Sequence, residues 1–310
     1  MTVSRDANEA AAEAERILTS GQPDALERGG QRVKEAAELG SPQALTRLAH
    51  FMAAGVLEKA DWDGAIDRLQ SAAELDWTPA LNELRVLGRG AGATPGELRT
   101  HVDIRAWIAP KPTHSVNDAP RIRTIEAFMS AEECAWMIAR GQPKLARAPV
   151  YDNATRGSQV VSARSNTAAG FSLLDMDIVT VFLRTRMANT IGLPNEWFEP
   201  PAVLHYSPGE EFTPHFDFLN PSVPGQAAEL RRGGQRIATF LTYLNDGYEG
   251  GETDFPRLGY RFKGRQGDAI VFANIDPSGA PDQRAMHAGL PPTSGEKWLL
   301  SQWIRDRVAQ

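Results

Sequence analysis

The chain is predicted to be an α+β protein built from two regions of different periodicity. Residues 8 to about 90 carry helical spacing throughout, with a 36-residue offset recurring inside it. From residue 121 the pattern changes, with a strand and two helices. After Trp197 comes a series of short β-rich runs separated by Gly, Pro and Asn, the spacing of a sandwich or jelly roll. The expected organisation is a helical region over 1–92, a linker over 93–120 and a β-rich domain over 121–310.

The helical region is justified by its internal match. Placing "VKEAAELGSPQAL" (33–45) over "LQSAAELDWTPAL" (69–81) pairs Ala36 with Ala72, Ala37 with Ala73, Glu38 with Glu74 and Leu39 with Leu75. Ala44 with Ala80 and Leu45 with Leu81 complete the match. Small residues at fixed offsets allow close helix packing, while Gly40, Pro42 and Pro79 punctuate the turns. Over about residues 20–90 the stretch resembles tetratricopeptide-like repeats of the Sel type. The resemblance implies a docking surface for a partner or substrate protein. A helical cap that leans on the other domain accounts for the same pattern, since two copies are few for independent stability.

"GRGAGATPGELRT" (88–100) and "APKPTHSVNDAP" (109–120) are expected as loops. "RIRTIEAF" alternates as a strand, Ser130 and Glu133 are spaced as a capping box, and residues 173–192 read as a second helix. The later strands fall in "PAVLHY", "FTPHFDF", "RIATFLTYL", "ETDFP", "DAIVFAN", "RAMHAGL" and "KWLLSQWI". The glycines of "EGGETDFP" suggest a bulge or tight bend, with no residue marked out for chemistry.

Composition narrows the function classes. A chain of 310 residues with 42% hydrophobic and 23% charged content is that of a globular protein, and no apolar run is long enough to span a membrane. The acidic, alanine-rich N-terminus has no apolar core of a secretory signal, and the single cysteine, Cys134, suits a reducing compartment, so a cytoplasmic location is expected. One cysteine also excludes an intramolecular disulfide and a thiolate-rich zinc or iron–sulfur site, leaving histidine and carboxylate to hold any metal. Net charge is −6, concentrated in the first 100 residues with 16 acidic against 11 basic side chains, which is not the footprint of a nucleic-acid binder. The local cluster of Arg231, Arg232, Arg236, Arg257, Arg261, Lys263 and Arg265 fits either attraction of an acidic substrate segment or a solvated loop surface.

The chemistry centres on "YSPGEEFTPHFDFLN" (206–220). In an extended segment His215 and Asp217 share a face and reach one ion. A His-x-acid pair is expected about once by chance in such a chain, so the pair alone proves little. His287 follows 72 residues later on another strand. Two histidines and one carboxylate on one face of an octahedral ion leave three positions open, the arrangement of non-haem Fe(II) oxygenases. Lys297 lies ten residues past His287 and Trp303 sixteen past it. On an alternating strand Lys297 either sits at the surface or points inward, where its ammonium needs an anion such as the distal carboxylate of 2-oxoglutarate.

Taken in order, "YSPGEEFTPHFD", "RIATFLTYLNDGYEGGETDFP", "GDAIVFAN" and "HAGLPPTSGEKWLLSQWIRD" resemble the catalytic domain of prolyl 4-hydroxylases, within the Fe(II)/2-oxoglutarate dioxygenases. "RIRTIEAFMSAEEC" and "ARSNTAAGF" extend the likeness to about residues 120–307. It implies a double-stranded β-helix, or jelly roll, with flanking helices, preceded by the all-α repeat region. It also implies Fe(II) on His215, Asp217 and His287, and 2-oxoglutarate held by Lys297, Tyr206 and Thr239, with Trp303 packed near the iron and ascorbate as a reductant. Arg164 matches a segment beside the substrate groove, which loops such as "APVYDNATRGSQ" (148–159) would cover. The activity implied is hydroxylation of an unactivated C–H bond, foremost in a prolyl residue of a peptide or protein, with release of succinate and CO2. A free amino acid, a non-prolyl side chain, or a catalytically silent barrel serving a repeat-based interaction protein are the alternatives. His50, His101, His114 and His205 are expected to be structural or surface residues.

Overall fold

The computed structural model describes residues 5–147, 150–152, 157–159 and 164–308. The chain divides into two compact units. The first comprises the residues up to Ala109 together with Asp175–Thr185, and the second comprises Pro110–Leu174 and the residues from Arg186 on.

Helices Arg5–Leu18, Ala25–Glu38, Pro42–Ala54, Trp62–Glu74 and Thr78–Leu87 build the first unit. The side chains of Ser41 and Asp61 accept the third amide of the helices they precede, and Gly55 closes Pro42–Ala54 in the left-handed region at φ 70°. The alanines matched at an offset of 36 take equivalent places. Ala36 and Ala72 are fully buried near the end of one helix, and Ala44 and Ala80 are buried near the start of the next. Glu83 is buried and paired with His50 at 2.7 Å, and its other oxygen accepts the Ile178 amide at 2.7 Å, so His50 has the structural role expected of it.

The expected linker over 93–120 is more ordered than its Gly and Pro content suggests. Thr94 and Glu97 exchange the two bonds of a capping box and Pro95 occupies the first turn, giving helix Pro95–Thr100. Asp103 caps Ile104–Ile108, and His114–Asp118 pairs antiparallel with Arg121–Ile125. These caps satisfy locally the amides that a loop would leave to water.

In the second unit each of the seven β-rich runs holds a strand. An eight-stranded antiparallel sheet runs in the order His114–Asp118, Arg121–Ile125, Ala269–Ala273, Arg236–Tyr243, Lys297–Arg305, Ala202–Tyr206, Thr167–Gly170, Ala146–Arg147. A four-stranded sheet runs Tyr260–Phe262, Thr253–Phe255, His287–Gly289, Phe212–His215. Two antiparallel sheets of this kind are consistent with a jelly roll. Their core takes in Leu204, Leu241, Tyr243, Phe255, Phe272 and Leu299, all buried. Helix Ala131–Gly141 starts on the expected Ser130–Glu133 capping box. Glu133 also holds Arg186 through two bonds of 2.8 and 2.9 Å, an ion pair buried on both sides.

Gly250 and Gly251 both have positive φ, 68° and 70°, at an irregular strand pairing, as the bend expected there requires. A Cβ on Gly251 would lie 2.8 Å from the Tyr248 ring. The expected cover at 148–159 is described only in its strands Val150–Asp152 and Gly157–Gln159, which pair with each other, and the remainder lies outside the described residues. No helix among the described residues is long and apolar enough to cross a membrane.

Candidate metal centre

His215 and His287 face each other across an antiparallel pair in the four-stranded sheet, in direct register, with ring centroids 4.3 Å apart. Opposed residues of such a pair project to the same face, which is how side chains 72 residues apart in sequence meet. The strand expected over 212–218 stops at His215, so Asp217 sits in the bend just beyond it rather than on the strand. That bend still delivers its carboxylate, with Oδ1 3.7 Å from His215 Nε2 and Oδ2 3.4 Å from His287 Nε2. One ligand atom from each of the three lies within 4.8 Å of the others, and Asp217 and His287 are buried.

The tautomers follow from the partners. His215 Nδ1 lies 2.9 Å from the Thr213 carbonyl and His287 Nδ1 3.2 Å from the Ala285 carbonyl. A carbonyl only accepts, so both Nδ1 atoms carry hydrogen and both Nε2 lone pairs face the centre. Burial, and then the neighbouring His287, push the His215 imidazole down to about 3, so it is neutral and ready to ligate across the physiological range. Burial pushes the Asp217 carboxyl up, but the two imidazoles and the Thr239 hydroxyl outweigh it and bring it below its usual value. A flat stack supports the ring of His215. Phe212 lies 3.5 Å from it, and the buried Arg164 guanidinium lies 4.6 Å from Phe212 on the same side chain's ring.

The triad opens into a cavity of about 640 Å³ that Tyr206, Thr239, Lys297, Trp303 and Arg164 also line, so all eight residues singled out in the sequence meet in one place. Lys297 opposes Tyr206 in register, and Trp303 opposes Thr239. Lys297 is fully buried, and its Nζ has no hydrogen-bond partner among the described residues. Among the described residues, the rings of Tyr206 and Tyr243, 5.1 and 5.6 Å away, face that ammonium as cation–π partners. Burial pulls it down to about 7. Burial pushes the Tyr206 phenol up to about 12, keeping it a hydrogen-bond donor. An orphaned buried cation asks for an anion, and a His-Asp-His face asks for a divalent ion with open positions. The donor set therefore fits Fe(II) with a dicarboxylate such as 2-oxoglutarate.

Thr239 is placed differently from its expected part in holding the co-substrate. Its hydroxyl is engaged by Asp217 Oδ2 at 2.6 Å and by the Asn274 amide at 3.0 Å. The threonine overlooked in sequence is Thr253, in the segment read as purely architectural. It is buried, lines the cavity, and bonds the Tyr243 hydroxyl at 2.7 Å beside Lys297. Arg236, grouped with surface charges, also lines the cavity. It stacks 3.6 Å over Trp303 and holds Glu199 through bonds of 2.6 and 3.0 Å. Neither had a sequence signal of its own, because each acquires its place through cross-strand pairing.

Residues 201–305 match the family model described as the 2OG-Fe(II) oxygenase superfamily. The chain is 34% identical to the probable prolyl 4-hydroxylase 7 of Arabidopsis thaliana, over 60% of this chain and 62% of that protein's length. It is 33% identical to prolyl 4-hydroxylase 1 of the same plant, over 62% of this chain and 71% of that one. Among solved structures, the 2OG complex of a viral collagen prolyl hydroxylase from Paramecium Bursaria Chlorella virus-1 is 27% identical, covering 61% of this chain and 98% of that one with a TM-score of 0.46.

Proposed function

Because this chain belongs to the prolyl 4-hydroxylase family of 2OG-Fe(II) oxygenases, we propose that it is a 2-oxoglutarate-dependent dioxygenase acting on a prolyl residue of a peptide or protein. The observation that carries the reading is the sharing of one cavity by a preformed His-Asp-His face and a buried lysine whose Nζ has no hydrogen-bond partner among the described residues.

His215, Asp217 and His287 would hold the iron. Bound Fe(II) and 2-oxoglutarate supply the oxidising power that places one oxygen atom of O2 in a C–H bond while the co-substrate becomes succinate and CO2. The chain's own residues do the rest. Lys297 neutralises the distal carboxylate, with the Tyr206 hydroxyl as a hydrogen-bond donor on the cavity wall. Leu204, Leu241 and Leu299 line the same wall and exclude water from the reacting centre. Trp303 offers a flat apolar surface for a prolyl ring, and the Arg236 guanidinium stacked on it fixes its orientation. Arg164 presents a buried cation to the carbonyl groups of a bound peptide.

Incubating the Fe(II)-loaded protein with 2-oxoglutarate and proline-rich peptides, and reading the gain of one oxygen atom by mass spectrometry, tests the proposal. Hydroxylation at proline supports it. Modification confined to non-prolyl positions or to a free amino acid rejects the substrate, and succinate formation in none of these rejects the activity. The N-terminal helices would form a helical-repeat surface for a protein partner, a reading supported by the equivalent burial of the alanines matched at an offset of 36.

A further inference from the structure

From Asp217 of the metal face a buried chain of polar side chains runs through Thr239 to Asn274, and metal ligation by Asp217 does not account for the last two. Asp217 is 5% exposed, Thr239 1% and Asn274 0%. Thr239 Oγ1 lies 2.6 Å from Asp217 Oδ2, and Asn274 Nδ2 lies 3.0 Å from Thr239 Oγ1. An ionised carboxylate only accepts, so the threonine's single proton is directed at Asp217. The lone pair left on its oxygen accepts from a donor, which the NH2 of Asn274 supplies. This direction also explains why Asn274 Oδ1 is buried without a partner among the described residues, since turning the amide over would set oxygen against oxygen.

The backbone of Asn274 serves the opposite ligand. Its carbonyl accepts the Asp282 amide at 3.0 Å, and the Asp282 carboxylate accepts the Arg284 amide at 2.9 Å, capping the turn Gln283–Ala285. The carbonyl of Ala285 in turn accepts His287 Nδ1–H.

From this arrangement we propose that Asn274 and Thr239 are positioning residues for the metal centre, fixing the rotation of the Asp217 carboxylate through a one-way hydrogen-bond relay. Bonds to a ligand carboxylate orient it before the ion arrives, and losing such partners costs about 10–100-fold in metal affinity. The proposal rests on the reading of His215, Asp217 and His287 as the metal centre.

The test is a titration of the full chain with Co(II) alone, followed by its ligand-field absorption. Thr239→Val should weaken Co(II) binding about 10–100-fold and shift the bands, while Thr239→Ser, which keeps the hydroxyl, restores both. Asn274→Leu should weaken binding in the same direction. Because Asn274 acts only through Thr239, the double variant should be no worse than Thr239→Val alone. Asn274→Ser replaces the leucine variant if that fails to fold by circular dichroism. Wild-type affinity in folded Thr239→Val, or additive losses in the double variant, would overturn the relay. A wild-type chain that binds no Co(II) overturns the metal-centre reading itself, which is a distinguishable result.

Discussion

Replacing Lys297 with methionine is expected to make the protein more stable while ending its response to 2-oxoglutarate. The lysine is fully buried, its Nζ lacks a hydrogen-bond partner among the described residues, and burial brings it from an ordinary 10.5 down to about 7, with Glu252 nearby opposing and Lys263 reinforcing the fall. A fall of that size corresponds to on the order of 5 kcal/mol of preference for the neutral amine. Relaxation in real proteins leaves about 1–4 kcal/mol to be gained when a buried charge is exchanged for an apolar side chain of similar volume. Between about pH 7 and 10.5 the unfolded chain carries this proton and the folded chain does not, so wild-type stability rises with pH through that window. Below pH 7 both states carry it and the full cost is present. Lys297→Met should therefore exceed wild type by about 1–4 kcal/mol in urea unfolding at pH 6 without co-substrate, and match it near pH 10. At pH 6 with a divalent metal present throughout, adding 2-oxoglutarate should raise the unfolding midpoint of wild type and leave that of the variant unmoved. Wild-type affinity for 2-oxoglutarate should also weaken as pH climbs above about 7. A variant less stable than wild type at pH 6, or one stabilised equally by 2-oxoglutarate, would refute the reasoning.

Asp217→Ala is expected to abolish formation of hydroxylated peptide, measured by mass spectrometry, because two histidines alone leave the ion without its anionic ligand. Glu133→Gln takes the carboxylate charge out of the buried ion pair with Arg186 and should cost about 3–5 kcal/mol in urea unfolding, with no change in Co(II) affinity. Arg236→Met removes the cation over Trp303, worth about 1 kcal/mol or roughly fivefold, and should raise the KM for peptide while the affinity for 2-oxoglutarate stays as in wild type.

The strands were legible because each is a short β-rich run between turn residues. The ligands were legible because His215, Asp217 and His287 fall at spacings that a known chemistry uses. What escaped depends on pairing that no single segment displays. Thr253 reaches the cavity because its strand is registered against Gly289, next to His287. Arg236 looked like one more surface charge until the strand carrying it brought it onto Trp303 and Glu199. Thr239 was placed in the right cavity, but which neighbour its hydroxyl chooses depends on Asn274, thirty-five residues away. The short helices of the 93–120 stretch were missed for another reason. Thr94, Pro95 and Glu97 carry a capping signal in plain order, but the glycines on either side are equally the mark of a loop.

The histidine pair has a consequence for the choice of ion. His215 and His287 are rungs of one β-ladder, so the main chain sets the gap between them whichever divalent ion arrives. A rung of fixed width is a weak sieve. Nickel, cobalt and zinc rank above ferrous iron in intrinsic affinity for nitrogen and oxygen donors. Selection for iron must then lie in what the surroundings supply, and a preparation made where those competitors abound would yield a well-folded impostor, correctly shaped and chemically idle.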